Sequence, residues 1–339
     1  MKTATRLPIV TSAFIVCGAV MGAPAAAEDN LRIGAFVLAT ANAYAQMNIA
    51  GIEQAAEEAG NVDIVIFDGA FDGARQLVQI QDAVATGRFD GFVIFPNSGV
   101  AVVPGVREAN EAGIPSIAAY APIGTDPLNP EPQIDGVIGT VWHPNNEDGR
   151  ALGRLTVEAC RTEHPDASPC KVAYISGGNA ILFEQVKLEA FRGVLEEADI
   201  EIQIVSQQEG NFLVGDARTA AENILQANPD LNVLSTSADQ MTLGAEQAVN
   251  DAGITGITLV GTGSSFEGVE AVREGRWFGS TVFLPVDEGR VATQMLIDYI
   301  QGQAPEAAVY DVVSGSPIGR TLTRDNIEGF EPQWSAVGN

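Results

Sequence analysis

The chain has 339 residues, with 44 acidic against 18 basic side chains and a formal charge of −26. So large an acidic excess excludes nucleic acid and anionic membrane surfaces as partners. The length exceeds what one ordinary core needs and suits two lobes.

In chain order, the first 27 residues read as a secretory signal. Lys2 and Arg6 form a basic start, Ile9–Val20 an apolar core, and Ala25-Ala26-Ala27 a small-residue cleavage site before Glu28. Cleavage there leaves 312 residues and moves the charge to −28. Cys17 follows Val16 rather than a small residue, so the alanine site is the better one and a lipoprotein is not expected. No other stretch is apolar for 18 residues or more, so a soluble exported protein without a membrane span is expected.

Apolar runs of five to eight residues then alternate with helical patterns of 12 to 18, the signature of parallel βα units. Strands are predicted at 32–38, 62–67, 91–95, 116–119 and 136–140, then at 171–176, 201–206, 233–235, 258–261 and 279–283. Gly60, Gly113 and Gly253 follow helical patterns, where glycine supplies the left-handed cap. Residues 121–133 hold four prolines without periodicity and form a surface excursion. Residues 135–140 are expected to cross between lobes, a second crossing to fall near 279–283, helix 287–301 to return to the first lobe, and the tail through 312–323 to make a third pass. The fold class expected is α/β: two similar doubly wound parallel-sheet lobes joined by a multi-strand hinge. Lobe 1 is 28–138 plus 284–310, and lobe 2 is 139–283 plus 311–339.

Cys160 and Cys170 fall at a helix end and a strand start. In an oxidising compartment a short loop between two cysteines reads as a disulfide. His164 alone makes no metal site, and neither metal nor cofactor is expected. An enzyme is a poor fit. Gly261-Thr262-Gly263 follows a strand, but Phe266 stands where a dinucleotide fingerprint needs its third glycine. No nucleophile elbow, phosphate loop or zinc motif occurs, and catalysis is not expected.

The stretches 228–232 (NPDLN) and 237–248 (SADQMTLGAEQA) resemble the second lobe of the ribose-type periplasmic sugar-binding proteins, the type I, LacI-like family. The likeness extends through 52–60, 76–94, 102–117, 147–155, 171–178 and 257–277. It implies a substrate-binding protein of an ABC importer, a periplasmic monomer that closes over a small molecule and delivers it to a membrane permease with its ATPase. A receptor for a membrane kinase or chemoreceptor is the alternative on the same fold. A sugar-responsive repressor is excluded, since a leader stands where its basic DNA-binding helices belong.

Carried over singly, the resemblance implies ligand contacts from Asn42, Tyr44 and Phe212. Asn42 serves equally as a helix cap. Other family positions fall on different residue types: Phe95 with Asn97 after the third strand, Tyr120, Gln185, Ala238 before Asp239, Gly263 and Phe283. Gln240 and Ser264 are further candidate anchors. Asp239 either touches ligand or caps the helix after it. Trp142 and His143 face either cleft or hinge, and Trp277 is expected in the core. Aromatic rings thus replace planar polar groups, so a sugar or sugar-derived polyol is expected, with a less polar cyclic or aromatic solute close behind.

Overall fold

Strand β1 (Leu31–Val37) is solvent-free from Ile33 onward, as a central parallel strand flanked by helices must be. The computed structural model describes Met1 and residues 30–338; the remainder of the leader, its cleavage site and Cys17 lie outside the described residues. β1 pairs in parallel with β2 (Val62–Asp68) on one side and β3 (Gly91–Ile94) on the other. β4 (Ser116–Tyr120), β5 (Val137–Trp142) and β11 (Val309–Asp311) extend this first sheet in the order β2-β1-β3-β4-β5-β11. The second sheet repeats the plan. β6 (Cys170–Ser176), β7 (Ile202–Glu209), β8 (Val233–Thr236), β9 (Thr258–Gly263) and β10 (Gly279–Val282) run parallel, and β12 (Thr321–Thr323) closes the edge antiparallel to β10. The doubly wound α/β fold read from the alternating pattern is the fold observed.

The first lobe carries helices α1 (Ala43–Ala59), α2 (Gly73–Thr86) and α3 (Val103–Glu111). The second carries α4 (Asn145–Glu163), α5 (Leu182–Glu196), α6 (Val214–Ala227), α7 (Asp239–Asp251) and α8 (Phe266–Glu274). Helix α9 (Pro285–Ile300) lies against α1. Their backbones meet at glycine: a Cβ on Gly51 would stand 2.0 Å from the Val286 carbonyl, and one on Gly289 2.0 Å from that of Asn48. Each lobe has its own apolar cluster, around Phe36, Ile80 and Phe92 in one and Leu152, Tyr174 and Phe191 in the other. A third runs through both and includes Trp277, which is core as its sequence setting indicated.

Two details correct the sequence reading. The first crossing lies at His143-Pro144, because β5 stays in the first sheet to Trp142, paired with both β4 and β11. A boundary at residue 138 would cut that strand, whose short apolar run gave no sign of where pairing ends. β7 runs to Glu209 rather than 206. It is an edge strand, half-buried along most of its length, so Gln207-Gln208-Glu209 continue it without an apolar signal.

Cys160 near the end of α4 and Cys170 at the start of β6 form a disulfide. By loop-closure entropy such a short loop contributes about 3 kcal/mol. Cys160→Ser is therefore expected to lower unfolding free energy by about 3 kcal/mol in urea titrations. Reductant should have the same effect on the parent chain and none on the variant. A variant as stable as the parent would show the loop to be held without the bond.

Candidate functional site

The carboxyl ends of both sheets face one another, which is where open α/β sheets place ligands. The backbone is strained there. Among the described residues, every non-glycine residue with a left-handed φ follows or ends a strand on this side: Ala70 and Phe71 after β2, Tyr120 ending β4, Asn211 and Phe212 after β7, and Ser264 after β9. Conformations of this kind cost about 1–3 kcal/mol each and persist where surrounding structure holds them.

The two lobes repeat the same device. In Gly69-Ala70-Phe71 and Gly210-Asn211-Phe212, two consecutive left-handed residues turn a phenyl ring inward from an edge strand. The rings of Phe71 and Phe212 stack across the cleft, 5.7 Å apart and 21° from parallel. Gly177 makes room, since its Cβ would fall 1.9 Å from the Phe212 ring.

Behind this pair lies a small inner cavity of about 40 Å³. Its first-lobe wall comprises Leu38, Asn42, Tyr44, Phe71 and Tyr120; its second-lobe wall holds Phe183, Lys187, Phe212, Ser237 and Gln240. Phe283, at the second crossing, and Trp334, from the tail, complete it. Outside the phenyl pair an open vestibule of about 620 Å³ shares Asn42, Phe71, Phe212 and Gln240 with the inner cavity. A separate groove of about 550 Å³, lined by His164, Arg276 and Arg324, meets the opposite strand ends of lobe two and has no part in the cleft.

Beneath the aromatic floor, the crossing is held by buried charge. His143 Nδ1 bonds Glu288 of α9 at 2.9 Å, and its Nε2 bonds Asp148 of α4 at 2.5 Å. Burial alone would push the imidazole pKa down, but the two carboxylates outweigh it and raise it to about 9, so the ring is an imidazolium at neutral pH. Glu288 also accepts from the Tyr44 hydroxyl at 2.6 Å and the Asn48 amide at 2.9 Å. Burial first, then the charge of Glu288, pushes the Tyr44 hydroxyl well above its usual range. The Tyr120 hydroxyl donates to Asn145 at the start of α4, 2.9 Å away. The imidazolium stacks on Tyr120 and meets Phe283 edge-on. One network thus ties α1 and α9 to α4 through the first crossing.

The residues singled out in the sequence divide into two groups. Asn42, Tyr44, Tyr120, Phe212 and Phe283 converge on the inner cavity, with Gln240 beside them. Asn42 also caps α1 by accepting from the Ala45 amide, the alternative its sequence position left open. Phe95 does not line the cavity: it is core at the end of β3, where its carbonyl accepts from Gln76. Asn97 sits in a separate crevice beside Pro96 and Phe183, its amide donating to the Leu38 carbonyl. Gln185 is exposed and bonds the Asn179 carbonyl, because α5 turns its Phe183 and Lys187 face inward instead.

Asp239 is buried under α8. It accepts from the Ser265 amide and the Ser280 hydroxyl, and caps no helix. Desolvation raises its pKa to about 6 despite those bonds. Gly263 is covered by Trp334, whose indole donates to its carbonyl at 2.6 Å. Ser264 bonds the Phe283 amide. Of the crossing pair, His143 belongs to the hinge network; Trp142 closes β5.

The sequence reading missed Phe71, Phe183, Lys187, Ser237 and Trp334. For Phe71 a signal was available: Gly-x-Phe follows the same strand in each lobe.

Comparison with known proteins follows the same lines. Residues 33–304 match the family described as periplasmic binding protein domain. The ribose import binding protein RbsB of Bacillus subtilis strain 168 is 22% identical over 316 residues, covering 91% of this chain and 97% of that one. The D-apiose import binding protein of Actinobacillus succinogenes is 27% identical over 258 residues, 75% of either chain. Among solved structures, a periplasmic solute-binding protein of Actinobacillus succinogenes with bound D-allose superposes with a TM-score of 0.75 at 20% identity, covering 89% of this chain and 100% of that one. An ABC transporter solute-binding protein from Bacillus halodurans C-125 with bound myo-inositol gives 0.75 at 17%, covering 89% and 98%.

Proposed function

This chain belongs to the periplasmic binding protein family, and on that premise we propose that it is the solute-binding component of an ABC importer. It takes a sugar or sugar-derived small molecule into the cleft between its lobes and presents the closed form to a membrane permease and its ATPase. Its work is binding without chemistry. The first 27 residues serve as the cleaved export signal, and the protein acts as a periplasmic monomer. Among the described residues no helix is long and apolar enough to cross a membrane, which agrees with this role.

The observation that carries the reading is the matched pair of strand-end turns, one per lobe, that brings Phe71 and Phe212 face to face over a cavity at the lobe junction. Both lobes contribute walls, so a ligand touching both stabilises closure, as a population shift requires. An inner cavity of about 40 Å³ admits no sugar ring while the phenyl pair is stacked. Binding therefore requires the lobes to part, and the vestibule marks the route.

Phe71→Ala and Phe212→Ala are each expected to weaken ligand binding about tenfold, or about 1.4 kcal/mol. Titration calorimetry checks this, and unchanged affinity in both variants would remove the phenyl pair from the site. The broader role is tested by a thermal-shift screen against pentoses, hexoses and polyols. A ligand at a hundredfold its Kd stabilises the fold by about 2.7 kcal/mol. Silence across the whole panel would overturn the sugar reading.

A further inference from the structure

The two walls of the inner cavity differ in the hydrogen-bonding capacity they have left to offer. On the first-lobe wall the Tyr44 hydroxyl is committed to Glu288, the Tyr120 hydroxyl to Asn145, and the Asn42 oxygen to the Ala45 amide. Leu38 and Phe71 have none. The Asn42 amide nitrogen is the donor that remains, and the two phenol oxygens can only accept.

The second-lobe wall is the reverse. Gln240 Oε1 is buried and makes no hydrogen bond, and buried Ser237 Oγ has only the Tyr174 hydroxyl beside it, on side chains 4% and 1% exposed. Lys187, 1% exposed, is loosely held: its ammonium lies 3.3 Å from Glu184, 3.5 Å from the Ser237 carbonyl, and 5.1 Å above the centre of the Phe283 ring. An ammonium has three protons to donate, and one of these contacts is a ring face. Buried polar atoms short of partners are costly, and Gln240 Oε1, Ser237 Oγ and the loosely held Lys187 ammonium, all on one wall of one cavity, are groups that a ligand's hydroxyls would satisfy.

Charge narrows the class further. The groups buried around the cleft are two cations, His143 and Lys187, against three carboxylates, Asp148, Glu184 and Glu288. A ligand carboxylate would enlarge an existing negative excess in a site with little water, whereas a neutral ligand leaves it unchanged.

Resting on the reading of this cleft as a solute site, we propose that its ligand is a neutral ring with its oxygens gathered along one edge, a deoxygenated sugar or cyclic polyol. The oxygenated edge docks on Lys187, Ser237 and Gln240, and the bare edge lies against Tyr44, Phe71 and Tyr120. A ring hydroxylated all round would turn several hydroxyls onto the first-lobe wall, where one amide nitrogen and two phenol oxygens are all that could meet them.

Titration calorimetry of the purified protein with three matched probe sets tests this. Fucose, rhamnose and cis-cyclohexane-1,2-diol carry oxygens unevenly; glucose and myo-inositol carry them all round; cyclohexanecarboxylate and benzoate are anions. The first set is expected to bind at least tenfold tighter than the others, and Gln240→Leu and Lys187→Met to weaken it at least tenfold. Gln240→Leu leaves the Glu184 pair intact, so it decides the matter if Lys187→Met does not fold. Tightest binding by glucose or myo-inositol overturns the proposal and leaves the binding-protein reading standing. Tightest binding by the acids overturns neutrality, and with it the proposal. Full affinity in the folded Gln240→Leu variant removes the second-lobe wall from recognition. Heat from none of the sets, with the protein folded by circular dichroism, counts against both the proposal and the small-ring reading beneath it.

Discussion

Glu288→Ala is expected to lower the unfolding free energy by about 3–5 kcal/mol, the usual cost of removing one member of a buried ion pair. Glu288 is fully buried and accepts from three side chains: His143, Tyr44 and Asn48. Its loss strands an imidazolium and a phenol in a water-free place, and only Asp148 remains to balance the charge. A signature in pH accompanies the loss. The folded-state pKa of His143 is raised to about 9, above an unfolded value of about 6.5. A raised pKa contributes stability that is complete below about pH 6.5 and is lost as pH rises through about 9, a span of about 3 kcal/mol. Urea titrations from pH 6 to 9.5 should therefore show the parent chain losing stability over this window, and Glu288→Ala losing much less. Asp239 adds a separate fall at lower pH. Its pKa, raised to about 6, withdraws stability between about pH 4 and 6 in both proteins, so it cancels in the comparison. A variant within 1 kcal/mol of the parent, with the same pH slope, would mean the cluster does not hold the hinge.

The physics of parallel sheets made most of this fold legible. Strands such as β1 and β3, buried on both faces, print continuous apolar runs, and the glycines after α1, α3 and α7 mark where helices stop. Part of the aromatic lining was legible too, because Tyr120, Phe212 and Phe283 stand at strand ends or the turns after them and Tyr44 opens helix α1. What failed was the transfer of polar positions one at a time. Gln185 and Asp239 occupy the chain positions that the resemblance pointed to, yet one faces solvent and the other braces α8. A helix face is set by packing, and α5 buries Phe183 and Lys187 in its place. A lysine inside a helix reads as a solvated residue, so Lys187 carried no sequence signal. The hinge network was invisible for another reason: His143 and Glu288 are 145 positions apart and meet only because α9 returns to the first lobe. The tail is the extreme case. Trp334 comes after the last strand, where neither periodicity nor motif announces a cleft residue.

That tryptophan is the basis for the second large effect. Its indole is 1% exposed, stands edge-on to Tyr44 at 5.7 Å, and donates to the Gly263 carbonyl. The residues around it clamp the lobes together. The Trp334 carbonyl accepts from Phe266 at the start of α8, while the Gln333 side chain accepts from the amides of Val286 and Asp287 and donates to the Asp287 carboxylate on α9. Trp334→Ala should cost about 3–5 kcal/mol, the range for emptying a large buried aromatic site, because Gly263 is held in β9 and Tyr44 on α1, and neither can collapse into the space. Trp334→Phe separates the ring from its proton. It keeps most of the packing and leaves the Gly263 carbonyl without its donor, which costs about 1–3 kcal/mol. Both variants should also bind ligand more weakly, since the indole is part of the cavity wall, and the alanine variant should lose at least tenfold. Urea titration and calorimetry on the pair check the two effects separately. If Trp334→Ala falls within 1 kcal/mol of the parent, the tail is an ornament on the second lobe. If stability falls as expected while affinity holds, the tail is a clamp that the ligand never meets.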